Sequence, residues 1–302
     1  MQNLIKNIVV AVDFTAKSSN AVKMAVNIAT RHKAKITLFH NITSHAIIDR
    51  TGQQVVGAET INANYEKSEH GLKQIEDSLR VQYPLLKIQS VIKNDRLING
   101  INDTIDNETA DLVVCGTSGR QNFIQLLLGS LSYEILTGAR CSVLLVPENC
   151  RKYSFEKILV PVRVLEDLTN KIDLSVSIAR KNSGIISLLG LSEENDLSEI
   201  KDAYERAKTN IAIKAQDYDS QFLMTREKAT QISKFSQEDD ADIIILNYKD
   251  EDSWKSFFAE NFFKQIINYT DVPLLFLKKI KEKSRNHSGG NVGFDITLPH
   301  PG

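Results

Sequence analysis

The sequence predicts an α/β fold made of two tandem, doubly wound parallel sheets. Three observations carry that prediction. Apolar runs of strand length alternate with amphipathic segments, the runs recur about 150 and then 131 positions later, and 302 residues suit two domains better than one.

In the first half, strands are expected near 5–13, 35–42, 86–92, 111–116 and 142–146. These runs are apolar almost throughout, as expected of parallel strands covered on both faces. Helices are expected near 17–32, 62–82, 97–108 and 129–138. The first has one apolar face, with Ala21, Met24, Ala25 and Ile28 at helical spacing. In such a fold, ligands sit beyond the carboxyl ends of the strands, where the strand order reverses. Asp13 and Gly116 both close strands and would lie on that rim.

The repeat is visible residue by residue. Ile8–Asp13 lines up with Ile158–Arg163 at an offset of 150, and Ile36–His40 with Ile185–Leu189 at 149. Asp111–Cys115 matches Asp242–Leu246, and Val143–Val146 matches Leu274–Leu277, both at 131. The offset falls between the second and fourth strands, so the second copy lacks an insert like residues 43–62. This divides the chain into domains 1–148 and 155–280, joined by the short polar stretch 147–156. Residues 281–302 are rich in Gly, Pro and polar residues. Disorder is their default reading, and an added docking segment is the alternative.

Composition excludes several functions. A formal net charge of -1 gives no whole-chain attraction to nucleic acid or an anionic membrane. No apolar run reaches the roughly 18 residues of a membrane span. The opening MQNLIKNIVVAVD runs directly into Asp13 without a cleavage site and reads as a strand, not a signal peptide. The three cysteines, Cys115, Cys141 and Cys150, share no CxxC spacing and read as buried hydrophobes in a reducing compartment. A cytoplasmic location is the expectation. None of the six histidines pairs with a His or Cys at metal-ligand spacing, so no metal site is expected; His40 reads as a packed rim residue. The chain lacks GxSxG, GxxxxGK[ST], HExxH and a GxGxxG turn after its first strand. No general base stands beside a nucleophile, and no catalytic residue is assigned.

The most informative stretch is residues 111–130, DLVVCGTSGRQNFIQLLLGS. An apolar strand ends at Gly116, Gly119 follows, and Gly129-Ser130 opens a helix leading to the next strand. Backbone N–H groups at such a turn and helix start favour a phosphate. The spacing G-x2-G-x9-G-S between two apolar strands resembles the signature of nucleotide-binding universal stress proteins. The opening IVVAVDFTAKSSNAVKMAVNIATRHKAKITLFHNI and the closing ARCSVLLVPE resemble that family's first and last elements. The resemblance covers residues 4–148 and, more weakly, 155–279.

The resemblance implies an adenine nucleotide alpha hydrolase-like fold and a site for ATP or a related adenine nucleotide, with or without Mg. It implies that Asp13 hydrogen-bonds the adenosine part and that the backbone of Asn41 contacts adenine. Cys115, Gly116, Gly119, Arg120, Gly129, Ser130 and Leu131 would line the phosphate end, with Thr117 and Ser118 beside them. Each residue has a plainer alternative. Asp13 or Thr15 could cap the first helix, the glycines could serve tight turns, and Ser130 could be an N-cap. By the same resemblance, Leu144–Val146 and Leu275–Leu277 would pair the halves as an internal pseudo-dimer, with a further homodimer open.

Carried across the repeat, the motif is lost. Asp13 becomes Arg163, and Gly116, Gly119, Gly129 and Ser130 become Asn247, Asp250, Glu260 and Asn261. The second half should therefore not bind a nucleotide in the family's way. Trp254, Phe257, Phe258, Phe262 and Phe263 should enter the core or plug the vacated pocket. Three readings follow: an ATP-binding stress protein with its site in the first half only, a nucleotide-independent interaction scaffold, and a slow ATP hydrolase.

Overall fold

A computed structural model describes residues 5–42, 47–48, 54–55, 58–118, 131–165, 167–215, 217–248 and 259–278, with only the backbone path for 47–48, 54–55, 58–61 and 259–261. The first half contains β1 (Asn7–Ala11), α1 (Ala16–His32), β2 (Lys35–Asn41), β3 (Ile47–Ile48), β4 (Gln54–Val55) and α2 (Ala58–Gln82). It continues with β5 (Lys87–Lys93), α3 (Leu97–Glu108), β6 (Leu112–Thr117), α4 (Leu131–Gly138) and β7 (Ser142–Pro147). The second half contains β8 (Lys157–Val162), α5 (Leu168–Asn182), β9 (Ile185–Ser192), α6 (Leu197–Lys214) and β10 (Tyr218–Met224). It ends with α7 (Lys228–Glu238), β11 (Ile243–Asn247), α8 (Ala259–Tyr269) and β12 (Leu274–Leu277).

One sheet runs through both halves in the order β10-β9-β8-β11-β12-β7-β6-β1-β2-β5. Within each half the five strands are parallel and follow the same order, and the two sets meet antiparallel at β7 and β12. Helices cover both faces. Alternate strand residues such as Ile8 and Val10 pack with α1, α2, α5 and α6, and Val9 with α3, α4, α7 and α8. Alternation between two apolar layers is the physical reason the central strands carry few polar residues, whereas the edge strands β5 and β10, less covered, carry several.

Local structure repeats with the topology. Asp111 Oδ2 accepts from the amides of Lys6 and Asn7 at 2.7 and 2.9 Å. Asp242 Oδ2 accepts from those of Glu156 and Lys157 at 2.8 and 2.9 Å. The acid before the fourth strand of each half therefore anchors the first strand. Lys33 (φ 56°), Ser183 (φ 53°) and Thr109 (φ 48°) end α1, α5 and α3 in the left-handed region, and Asp240 (φ 50°) takes it up one residue past Asp239, which ends α7. Such residues close a helix by turning its last amide back onto a free carbonyl.

Several sequence expectations need correction. Ile36 corresponds to Ile186, not Ile185, because Ile8 pairs with Ile36 as Ile158 pairs with Ile186. Two adjacent isoleucines match the apolar run equally well, and only the hydrogen-bond ladder separates them. Ile186 is buried and Ile185 exposed. Between the halves, Val143–Leu145 pair with Leu274–Phe276, one residue earlier than expected, with Leu144 opposite Leu275. Helix α2 begins at Ala58 and not near 62, since Ala-Glu-Thr-Ile extends a helix readily. The insert near 43–62 contains the β3–β4 pair, while β9 reaches α6 directly from Ser192 to Leu197.

The join is fastened on both sides. Tyr153 Oη donates to Asn20 Oδ1 at 2.9 Å, and Arg31 donates to Tyr153 O at 2.9 Å. Lys152 reaches Asp240 at 2.7 Å and Asp242 at 3.0 Å. Among the described residues, no helix is long and apolar enough to cross a membrane. Cys115, Cys141 and Cys150 are all buried with free thiols, and burial raises each thiol's pKa, that of Cys115 and Cys141 to about 12.

Candidate functional site

The strand order of the first half reverses between β1 and β6, and the ends of these two strands bring Asp13 and Gly116 to one rim. Strand β1 stops at Ala11. Val12 makes one more bond, its amide donating to Phe39 O at 2.8 Å, before the chain turns at Phe14 with φ 61°. This turn resolves the alternatives for Asp13. The cap of α1 is Thr15, whose hydroxyl accepts from the Ser18 amide at 3.4 Å. Asp13 Oδ1 instead holds Thr15, accepting from its amide at 3.0 Å and its hydroxyl at 2.5 Å. Burial pushes the carboxyl up, but hydrogen bonds from Thr15 and Ser18 prevail and place it below the usual carboxylate range. Asp13 is thus an ionised, exposed acceptor at the strand end.

Gly116 has a structural duty beyond any ligand. A Cβ on it would lie 2.4 Å from the carbonyl oxygen of Lys17. The first turn of α1 therefore crosses directly over the end of β6, and only glycine admits that approach. Ser132, in the first turn of α4, donates its hydroxyl to Gly116 O at 2.8 Å, which brings the start of α4 to the same rim. Sequence reasoning missed Ser132; its place three residues after Gly129 was the available signal.

Cys115 belongs to the core, so only its backbone reaches toward the rim. Leu131 opens α4 and is 55% exposed. Asn41 closes β2 on the other side of β1. Its Nδ2 donates to Asp95 O at 3.0 Å, while its enclosed Oδ1 faces Gly100 of α3 and accepts no hydrogen bond among the described residues. Gly119, Arg120, Gly129 and Ser130 lie outside the described residues.

Two aromatic residues flank Asp13. His40, expected as a packed rim residue, holds Val12 O through Nδ1 at 2.7 Å and lies 4.7 Å from the Phe14 ring. The far edge of the Phe14 ring packs against Gly71 of α2, where a Cβ would fall 2.8 Å from it. No sequence motif singled out Phe14, because its importance comes from a left-handed backbone that sequence does not display.

The equivalent rim of the second half is filled by its own side chains. Arg163 is buried with its guanidinium 3.6 Å from the centre of the Phe262 ring, and Phe262 stands where Leu131 stands in the first half. Lys171, the counterpart of Ala21, is buried and donates through Nζ to Pro161 O at 2.5 Å. Phe263 joins the core, stacked 5.6 Å from Tyr248 and edge-on to Phe276 at 5.2 Å. Trp254, Phe257, Phe258 and Asp250 lie outside the described residues. Among the described residues, no group of His, Cys, Asp and Glu could hold a metal ion.

Comparisons with known proteins agree with this architecture. Residues 4–147 match the sequence profile of the Universal stress protein family. A universal stress protein of Methanocaldococcus jannaschii is 25% identical over 147 residues, spanning 48% of this chain and 84% of the relative. A protein of Staphylococcus aureus strain USA300 named for the same family is 31% identical over 150 residues, spanning 47% of this chain and 83% of the relative. The crystal structure of a universal stress protein from Archaeoglobus fulgidus has the same fold over nearly the whole chain: TM-score 0.72, 16% identity, covering 90% of this chain and 96% of that one. With the family's profile on its first half and the family's fold along most of its length, the chain belongs to the universal stress protein family.

Proposed function

We propose that this protein binds ATP or a related adenine nucleotide at the rim of its first half, and that occupancy is its signal in a stress-related regulatory role. The observation that carries this reading is the meeting of Asp13, Gly116 and the start of α4 where the strand order reverses. An ionised acceptor at the end of β1 suits a ribose hydroxyl or an adenine amino group. Asn41, at the neighbouring strand end, offers its backbone to the base. Gly119, Arg120, Gly129 and Ser130 carry the phosphates, with or without Mg. The second half has no room for the same ligand, because Arg163, Phe262 and Lys171 fill its rim. Halves 1–148 and 155–280 act as two domains of an internal pseudo-dimer, with Leu144 and Leu275 on its symmetry axis.

Calorimetric titration of the full chain with ATP, with and without Mg, tests this directly. One site per chain is expected, lost in Asp13→Ala and in Gly119→Asp, which copies the second half. Gly116 is a poor probe, because any side chain there displaces α1. No heat with folded, nucleotide-free protein would overturn the reading in favour of the scaffold. Phosphate release abolished by the same variants would add hydrolysis to it.

A further inference from the structure

We propose that the second half controls nucleotide affinity in the first by holding the carboxyl end of α4 through Lys278 and Tyr248. This rests on the nucleotide reading above and assigns its regulation.

The structure describes helix α4 over Leu131–Gly138. The order of its last turn depends on what grips that end, because most helical stability in a protein comes from tertiary contacts. At the amino end, Ser132 is bonded to Gly116 O on the rim. At the carboxyl end, the chain presents carbonyls with no partner inside the helix. Asn102 of α3 donates to Gly138 O at 3.0 Å. The remaining donors come from the other half. Lys278, just past β12, donates through Nζ to Ala139 O at 2.7 Å and to Thr137 O at 3.4 Å. Tyr248, just past β11, donates its hydroxyl to Thr137 O at 3.4 Å.

These two residues form one device. The Lys278 ammonium lies 4.0 Å from the centre of the Tyr248 ring, which also stacks on the Phe263 ring of α8. A cation at a helix carboxyl end opposes the negative end of the backbone dipole, and the ring face adds to its stabilisation. The backbone of Lys278 is itself held across the seam, its amide donating to Ser142 Oγ at 3.2 Å. Burial lowers the ammonium's pKa to about 8, opposed by the nearby Cys141, so Lys278 stays mostly charged at neutral pH.

The grip is one-sided. By the repeat, the first-half counterparts of Tyr248 and Lys278 are Thr117 and Pro147. Neither has an aromatic ring or a cation, and proline has no amide N–H to donate. Thr117 and Pro147 therefore do not reproduce this grip on α8. The half whose rim holds Arg163 on Phe262 grips the helix whose first turn bonds Gly116 O. Nucleotide binding that needs an ordered α4 is then favoured by whatever keeps the seam closed.

The test uses the full chain, with Lys278→Met to remove the ammonium and keep the stem, and Lys278→Arg to keep a cation. Amide exchange of residues 131–138 is followed without nucleotide, beside residues 7–11 of β1 as an internal reference. Lys278→Met is expected to speed exchange in 131–138 about 10-fold relative to β1 and to weaken ATP binding to a similar degree, with Lys278→Arg restoring much of both. Unchanged exchange in 131–138, or faster exchange with unchanged ATP affinity, would overturn the proposal. Wild-type protein that fails to bind ATP would instead overturn the nucleotide reading, whatever the exchange shows.

Discussion

The rim of the first half and the rim of the second stand on the same five-strand order, yet one presents an exposed carboxylate and the other a guanidinium laid on a phenyl ring. What the halves share is the framework: an acid that anchors the first strand, left-handed helix ends and an apolar ladder. What they do not share is the side chains at and beneath the rim: Asp13, Ala21, Gly116 and Leu131 become Arg163, Lys171, Asn247 and Phe262. The difference separates residues needed to form this fold from residues that set the character of each rim. Gly116 stands apart, since it is required on structural grounds in the first half while its counterpart Asn247 is accommodated in the second.

That contrast can be broken most severely at Gly116. Gly116→Asn copies the second half into the first, and its Cβ would meet the Lys17 carbonyl at 2.4 Å. We expect a loss of about 3 kcal/mol or more in urea unfolding, because backbone, not a side-chain tip, must move. An unchanged midpoint would mean that α1 sits on β6 as loosely as α5 sits on β11.

A second variant tests the seam the halves share. Leu144→Ala and Leu275→Ala each delete a buried side chain at directly opposed positions. Each should cost about 3 kcal/mol, and the double variant less than the sum, since the two cavities merge. Full additivity would contradict the observed register.

A smaller effect sharpens the comparison of the rims. Arg163→Met should cost about 1–2 kcal/mol through loss of the buried contact with Phe262, while Asp13→Ala costs less than about 1 kcal/mol because its carboxylate is exposed. Equal losses would remove the distinction between the buried Arg163 and the exposed Asp13.

A further prediction concerns acid. His32 is buried where α1 meets α5, and burial, with the Lys181 and Arg31 charges, lowers its pKa from 6.5 to about 4. The unfolded chain then binds the extra proton first. The stability due to neutral His32 is complete above pH 6.5 and is lost as pH falls toward 4. Urea midpoints measured at pH 7 and pH 4.5 should converge in His32→Gln relative to the parent; parallel curves would count against the neutral imidazole.

Much of this molecule was legible in its residues, for reasons that can be named. Strand runs such as Leu112–Cys115 are apolar because both faces are covered, and the acid before them recurs because it anchors another strand. The Gly116 rim was legible because glycine at a strand end marks close approach. What approaches, the Lys17 carbonyl, was not, since it comes from a helix nearly a hundred residues earlier. The Ile36–Ile186 correspondence was misread because apolarity cannot tell adjacent isoleucines apart.

By itself, then, the sequence determined the α/β class, the placing of most strands and the replacement of Asp13 and Gly116 by Arg163 and Asn247 at the corresponding strand ends. These follow from periodicity and spacing along the chain. Tertiary structure alone decided that Thr15 caps α1 while Asp13 stays exposed, that Arg163 lies on Phe262, and that Lys278 grips a helix of the other half. These are contacts between residues distant in sequence, set by how elements pack, and no local pattern of residues records them.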